Sequence, residues 1–423
     1  MATVRIQADQ LVPGEGEPIP NAVVVLDGPT ITFAGPAADA PDTPQADVTT
    51  VSTVMPGLWD CHAHLMGLAA GVVNLEALIT QTPQIGAVRS ARDLGAALDA
   101  GVTSVREVGG YAALLAPAVD EGTVRSPHLY GAGSVLSQTG GHGDMHGLSP
   151  ADSDRMWERL FGAPSLADGP DDCRRIVRRQ LRLGARVIKV CASGGVMSQI
   201  DHPIHQQFSA EELAAIVDEA ARAERAVAAH CHGKPGIMAA VEAGVRTIEH
   251  GSYLDEEAAV AMRESDTILV PTRWIVDHLM AVGRKQGMPE YAAVKIEAIA
   301  DRHREAVETA IEHGVNIAAG TDIWGAGMWG RNGEEAGLLA EIGMSPLQAL
   351  AAATANAPAT LGAQAPHSGR LTAGYDADVI ALDVDPLADL SLLSGPDHVT
   401  HVWKSGVPMK RSDVELTEDG RRT

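Results

Sequence analysis

Aromatic side chains are scarce in this chain, only 3% of 423 residues. A large core must therefore be filled by Ala, Val, Leu and Ile, and the 45% hydrophobic content supplies enough of them. Cysteine is scarce too. Cys61, Cys173, Cys191 and Cys231 do not show the spacing of a disulfide framework and read as reduced thiols of a cytoplasmic protein. No apolar run reaches the length of a membrane span, and the opening Met1-Ala2-Thr3-Val4-Arg5-Ile6 lacks a signal-peptide pattern. Positive charge is in deficit, with 32 Lys and Arg against 55 Asp and Glu, a formal net charge of -23. That argues against nucleic acid or an anionic membrane as the main partner. A small-molecule substrate remains.

The length suits a barrel of roughly 250 residues with a satellite unit. Val4 to Ala8, Ala22 to Leu26 and Thr30 to Ala34 are β-rich, with turns at Asp27-Gly28 and Gly35-Pro36. Ala377 to Asp383 and Val399 to Lys404 repeat that texture near the other end. Between them, strand-like and helical runs alternate. The strands are expected at Val51 to Leu58, Val102 to Val108, His128 to Ser134, Arg186 to Cys191, Ala226 to His230, Arg246 to His250, Thr267 to Val270 and Val315 to Gly320. Helical patterns include Ala87 to Ala100, Asp171 to Leu183, Ala210 to Ala223, Glu256 to Arg263 and Tyr291 to Glu312. The expected fold is α/β, a (β/α)8 TIM barrel over 56–362. A small β-sandwich built from 1–55 and 363–423 accompanies it. Two long loops, Leu136 to Pro170 and Trp324 to Gly333, are Gly-rich and suit lids or plain insertions. Barrels with satellite units often associate, so a homo-oligomer is compatible with this plan.

His62 and His64 follow the apolar run Val51 to Leu58 and lie two residues apart, so they share one face of a strand. Alone, the pair fits two ordinary histidines as well as a metal chelate. Later strand ends add Lys189, His230 with His232, His250 and Asp322. A lysine inside the apolar Val187-Ile188-Lys189-Val190 is disfavoured as a cation, and its neutral amine can take up CO2 to become an anionic carbamate. A partner carboxylate is the alternative for that lysine. Four histidines, one modified lysine and one aspartate would hold two divalent ions with open positions for water. Histidine-rich sites suit zinc, though cobalt, manganese and iron fit as well.

With those residues in view, the chain resembles the amidohydrolase superfamily with a binuclear metal centre. Leu350 to Ala357, then Leu361-Gly362, Gly369, Gly374 and Ala377-Asp378-Val379, is similar to the family's closing signature. Thr139 to Asp144, Ile188 to Val196 and Ile248 to Gly251 resemble the imidazolonepropionase-like branch that includes Xaa-Pro dipeptidases. The resemblance implies that His62, His64 and Asp322 hold one metal, His230 and His250 the other, and carboxylated Lys189 bridges them. It implies amide hydrolysis of a dipeptide or N-acyl amino acid, with Asp322 as general acid and base. Relatives in the branch also cleave carbamates, phenylureas and aryl amides such as ochratoxin, which is the alternative target. Arg106-Glu107 departs from a common Arg-Asp, with no ligand affected. A non-catalytic binding protein would be expected to lose ligands, and none is missing.

His142, His232, Arg273 and Trp324 are the expected substrate contacts. His142 lies in a glycine-rich loop, and His232 has the strand parity of His230. Arg273 follows the seventh strand and suits a substrate carboxylate. Trp324 and Trp329 suit an apolar wall. Structural hydrogen bonding, a surface ion pair and loop anchoring are the respective alternatives. Cys191 shares parity with Lys189 and should line the pocket, whereas Cys61 and Cys231 should face the outer helices.

Overall fold

The computed structural model describes residues 3–71 and 74–411. Residues 412–423 of the expected satellite unit therefore lie outside the described chain. Four strands open it: β1 (Val4–Leu11), β2 (Ile19–Asp27), β3 (Thr30–Pro36) and β4 (Asp47–Pro56). Eight follow: β5 (Leu58–Leu68), β6 (Val102–Glu107), β7 (His128–Gly131), β8 (Val187–Cys191), β9 (Ala226–Cys231), β10 (Thr247–His250), β11 (Ile268–Val270) and β12 (Ile323–Gly325). Three close it: β13 (Val379–Leu382), β14 (Val399–Lys404) and β15 (Val407–Arg411).

Strands from both chain ends form one seven-stranded sheet in the order β15-β14-β13-β4-β1-β2-β3. Side chains alternate across each strand, so one face of β1 contributes Val4, Ile6 and Ala8 to a separate apolar cluster. Val24 and Leu26, Val379 and Ala381, and Trp403 belong to the same cluster. The backbone of Ile31 bonds Tyr375 and that of Ala377 bonds Pro29, tying the far edge to the segment leading into β13.

The middle of the chain is a TIM-barrel-like α/β fold. Its strands form two parallel sheets, β12-β5-β6-β7 and β11-β10-β9-β8. Leu136 exchanges backbone bonds of 2.8 Å with Lys189 and Cys191, joining the two sheets on one side. On the other, residues 315–320 lie between β11 and β5, with Leu269 N–H on Asn316 and Cys61 N–H on Ala319. Helices cover the outside. The helix Pro170–Arg182 buries Cys173, Ile176, Val177 and Gln180, the i, i+3, i+4, i+7 stripe of an amphipathic helix. Ser209 and Glu212 form a capping box that starts Ala210–Ala221.

Three expectations need correction. The run Val51 to Leu58 is not the first barrel strand. It belongs mostly to β4, which pairs with β1 and β13, and the barrel strand β5 starts at Leu58 and carries both histidines in its interior. Gly57 separates the two strands because a Cβ there would run into the Thr103 side chain, 2.7 Å from its Cβ. Gly57→Ala is expected to destabilise by about 1–3 kcal/mol through overpacking, seen as a lower midpoint in a denaturant melt. Residues 315–320 pair through one isolated bridge, Leu269 with Ile317, rather than a continuous ladder, and the strand that pairs with β5 is β12, which follows them. The long loop from Leu136 to Pro170 contains a helix, Pro150–Phe161, capped by the Ser149 side chain and ended by left-handed Gly162.

Candidate metal centre and chamber

The C-terminal ends of the barrel strands open into one chamber. His62, His64, His142, Lys189, His230, His232, His250, Asp322 and Trp324 all line it. Cys191 lines it with Lys189, while Cys61 and Cys231 are buried away from it, as strand parity requires. Arg273 does not line it, which corrects the expected carboxylate contact. Thr272 adopts φ +53° and redirects the chain into the helix Arg273–His278. The guanidinium there pairs with Asp277 and donates to the Ala300 carbonyl.

Two donor clusters face each other in the chamber. His62, His64 and Asp322 form one, and His230, His232 and His250 the other, each with ligand atoms within 4.8 Å of one another. Asp322 Oδ1 lies 3.2 Å from His64 Nε2 and 3.6 Å from His62 Nε2. His232 was expected only beside the metals, yet its ring joins the second cluster directly.

Each imidazole is oriented from behind. His62 Nδ1 meets Glu249 Oε2 at 2.6 Å, and His64 Nδ1 meets the Gly109 carbonyl at 2.9 Å. His230 Nε2 meets the Gly194 carbonyl at 3.2 Å. A carbonyl or an ionised carboxylate only accepts, so each of these nitrogens carries the proton, and in His62 and His230 the opposite one keeps its lone pair; burial lowers the pKa of His64, but Asp322 beside its Nε2 outweighs that and raises it. His232 and His250 rest on the hydroxyls of Ser252 and Thr272, at 2.8 and 2.7 Å. Burial lowers the pKa of His62, to about 4, with Lys189 adding to the effect, and it lowers His230 and His250 well below the usual range. Neutral rings with one free lone pair are what a metal requires of histidine.

Lys189 is 3% exposed, and its Nζ has no hydrogen-bond partner among the described residues. Burial lowers its pKa, despite nearby Glu249 and Asp322. A buried, unpartnered amine in the same chamber as the histidine clusters is costly unless something completes it. The donor set therefore fits a metal centre.

Four buried charged residues that were not among the expected site residues support this arrangement: Arg106, Glu249, Asp60 and Glu335. Arg106 holds Glu249 through Nη2, 2.7 Å from Oε1 and 2.9 Å from Oε2, and Thr247 Oγ1 through Nη1 at 2.9 Å. Burial pushes the Glu249 carboxyl up, but Arg106 and His62 outweigh that and hold it well below its usual range. Asp60 accepts the His62 peptide N–H at 2.9 Å, the Thr321 N–H at 3.1 Å and Asn332 Nδ2 at 2.7 Å, fixing β5 against the turn to Asp322. Glu335 accepts the N–H groups of Arg273 and Trp274 at the start of their helix, at 2.9 and 2.7 Å. Ile275, Val276 and Leu279, on and just beyond that helix, line the chamber. The usable signal was a carboxylate, Glu249, placed directly before the candidate ligand His250 within a barrel strand.

Fold and site together define a class: a TIM-barrel-like protein with a histidine-rich centre at its strand ends. The pattern of the amidohydrolase family matches residues 53–409, and the chain belongs to that family. It is a hydrolase of carbon–nitrogen bonds, acting on amides. Ochratoxinase of Aspergillus niger is 42% identical over 412 residues, spanning 95% of this chain and 85% of that protein. Its crystal structure superimposes with a TM-score of 0.89 over 99% of this chain and 98% of that one. A prolidase structure complexed with N-methylphosphonate-L-proline is 35% identical, with a TM-score of 0.89 over 97% and 100% of the two chains. Imidazolonepropionase of Salinispora tropica is 26% identical over 92% of each.

Proposed function

We propose that this chain cleaves the amide of an N-acyl amino acid with a bulky aryl or apolar acyl group, at a centre where the two donor clusters and a carboxylated Lys189 would hold two divalent ions. The observation that carries the reading is the pair of donor clusters around an unpartnered buried lysine. The 42% identity to ochratoxinase favours the aryl amide over the dipeptide first expected. So does the chamber wall, which includes Met66, Leu78, Trp157, Val196, Leu279 and Trp324. Its cavity of about 150 Å³ matches one that admits a benzene ring.

His62, His64 and Asp322 would hold one ion, His230 and His250 the other, with zinc the expected metal. Bound ions would supply a water nucleophile at neutral pH and polarise the scissile carbonyl. Lys189 Nζ would gain a carboxylate from CO2, forming an N–C bond and releasing a proton, and the resulting anion would be an oxygen ligand for bound cations. Asp322 takes the proton of the attacking water and passes it to the leaving nitrogen, because an amine leaves poorly unless protonated. Glu249 keeps His62 in its Nδ1–H form throughout. We further propose that the eight barrel strands close into a complete (β/α)8 ring over 56–362 and that the terminal sheet folds over its core as a sandwich. Among the described residues, no helix is long and apolar enough to cross a membrane, and four free thiols agree with a reducing cytoplasm.

The test is metal analysis with a substrate panel. Purified protein is expected to carry close to two divalent ions per chain. N-aroyl-L-phenylalanine amides are expected to show kcat/KM at least about 10-fold above Xaa-Pro dipeptides, the scale on which a pocket rewards an added apolar group. Vigorous dipeptide cleavage with no aryl-amide turnover would overturn the substrate assignment.

A further inference from the structure

Two residues one turn apart on the helix Glu290–Glu312 reach the loop between β8 and the helix Ala210–Ala221. Tyr291 donates its hydroxyl to the Met197 carbonyl at 3.3 Å. Lys295 Nζ donates to the carbonyls of Gly195, Ser198 and Asp201, at 3.0, 2.6 and 2.6 Å, and stands 3.4 Å from Asp201 Oδ1. The Lys295 side chain is 12% exposed and that of Asp201 6%. Asp201 Oδ1 also accepts the Ser198 hydroxyl, and Oδ2 accepts from the Gly195 N–H at 3.1 Å and Gln207 Nε2 at 3.0 Å. Both oxygens of Asp201 face donors, as an ionised carboxylate requires.

Little else folds this part of the loop. Its neck is closed by the Gly194 N–H on the His205 carbonyl at 3.0 Å and the Gln207 N–H on the Ala192 carbonyl at 2.8 Å. Beyond the neck, residues 195–201 form no helix or strand. Among the described residues, the carbonyls of Gly195, Ser198 and Asp201 accept no backbone N–H. Carbonyls left unpaired around a mostly buried point are costly, and here their negative ends also converge. A neutral amine has two hydrogens and a lone pair, so it cannot serve three carbonyls. An ammonium has one hydrogen for each. The oxygens thus form a cage of the kind that holds a monovalent cation, and the cation is tethered to a helix. The caged segment is also chamber wall: Val196, Met197, Ser198 and Gln199 line the chamber beside Tyr291.

We propose that the Lys295 ammonium acts as a built-in monovalent cation that folds residues 195–201 into the chamber wall, and that the cage, once emptied by truncating Lys295, binds a free primary ammonium ion. Lys295 does not itself line the chamber, so it is a positioning residue. Its effect on substrate rests on the proposed amide hydrolysis. A wall that loses its shape fits a bulky acyl group less well, while proton transfer at Asp322 is untouched. The loss therefore falls on KM more than on kcat.

The test is chemical rescue of full-length, zinc-loaded Lys295→Ala. The n-propylammonium ion has the atoms that this variant lacks. Tetramethylammonium has the same charge and no N–H. At equal concentration, propylammonium is expected to raise the melting temperature of Lys295→Ala, because a ligand of the folded state stabilises it. Tetramethylammonium is expected to leave it unchanged, and neither salt to move the wild type. Backbone amides of residues 194–207 are expected to exchange hydrogen faster in Lys295→Ala and to slow again with propylammonium alone. Lys295→Met fills the stem of the cavity and is expected to respond to neither salt. If Lys295→Ala does not fold unaided, its refolding yield in the two salts makes the same comparison.

On N-benzoyl-L-phenylalanine, Lys295→Ala is expected to raise KM at least about 10-fold, with kcat within about 3-fold of wild type, the scale of a polar group left unpaired. Propylammonium is expected to restore KM. Equal responses to the two salts, or wild-type melting, exchange and KM in Lys295→Ala, overturn the cage. If no amide is cleaved by the wild type, the proposed function falls, and the melts and hydrogen exchange alone decide the role of Lys295.

Discussion

Asp322→Asn is expected to lower kcat by at least about 10³-fold while the protein stays folded, since general acid–base catalysis alone contributes about 10²- to 10⁴-fold. Asn has the same shape. It also tolerates the left-handed backbone that Asp322 adopts, at φ +60°. The Asp322 N–H on the His62 carbonyl, at 2.6 Å, is untouched. What disappears is a base. Burial pushes the Asp322 carboxyl up, but His62, His64 and Lys189 outweigh it and hold the pKa below the ordinary value. At neutral pH the group is therefore ionised and poised to accept a proton. An amide oxygen cannot carry one onward to a leaving nitrogen. Kinetics on the best N-acyl amino acid, beside a thermal melt and metal analysis, read the three consequences separately. Wild-type turnover in this variant would sink the proton-transfer role.

The centre was legible because its chemistry follows the β period. Side chains two apart on a strand share a face, and this alone placed His62 with His64 and His230 with His232. The same rule separated Cys191 from Cys61 and Cys231. It failed where the partner of a strand matters. Val51 to Leu58 is mostly apolar, and nothing in such a run says that Pro56 pairs with Val379 in a second sheet while Leu58 pairs with Val102 in the barrel. Arg273 was misplaced because the direction of a side chain after a strand depends on the next backbone angle, here the left-handed Thr272. Its real partner, Asp277, stood at i+4 in the sequence. His232 was underestimated because parity reports a face but not how closely three rings converge. Arg106 and Glu249 escaped because they sit on strands of different sheets and meet only through their side chains, which spacing along the chain does not report.

That last pair carries a large effect of its own. Arg106 is fully buried and makes a two-toothed contact with Glu249, which in turn meets His62. Arg106→Met replaces the cation by a side chain of similar length and leaves the carboxylate in the core. Breaking a buried ion pair from one side costs about 3–5 kcal/mol, because the stranded charge has lost its counter-ion. The carboxylate can relieve this only by taking up a proton. Its depressed pKa now contributes stability that is full above the ordinary carboxylate range and lost as pH falls through the folded value. In Arg106→Met that contribution shrinks, so the stability difference between the two proteins is expected to be large at pH 7 and smaller in acid. His62 then loses a fixed acceptor on Nδ1, and its Nε2 is no longer held toward Asp322. Metal affinity is expected to fall about 10- to 100-fold, the scale seen when an outer partner of a ligand histidine is removed. Denaturant melts at two pH values and a competition titration with a chelator measure both. If stability and metal retention stay at wild-type values, Arg106 is packing alone, and the chain of charge from Arg106 through Glu249 to His62 does not exist as a working unit.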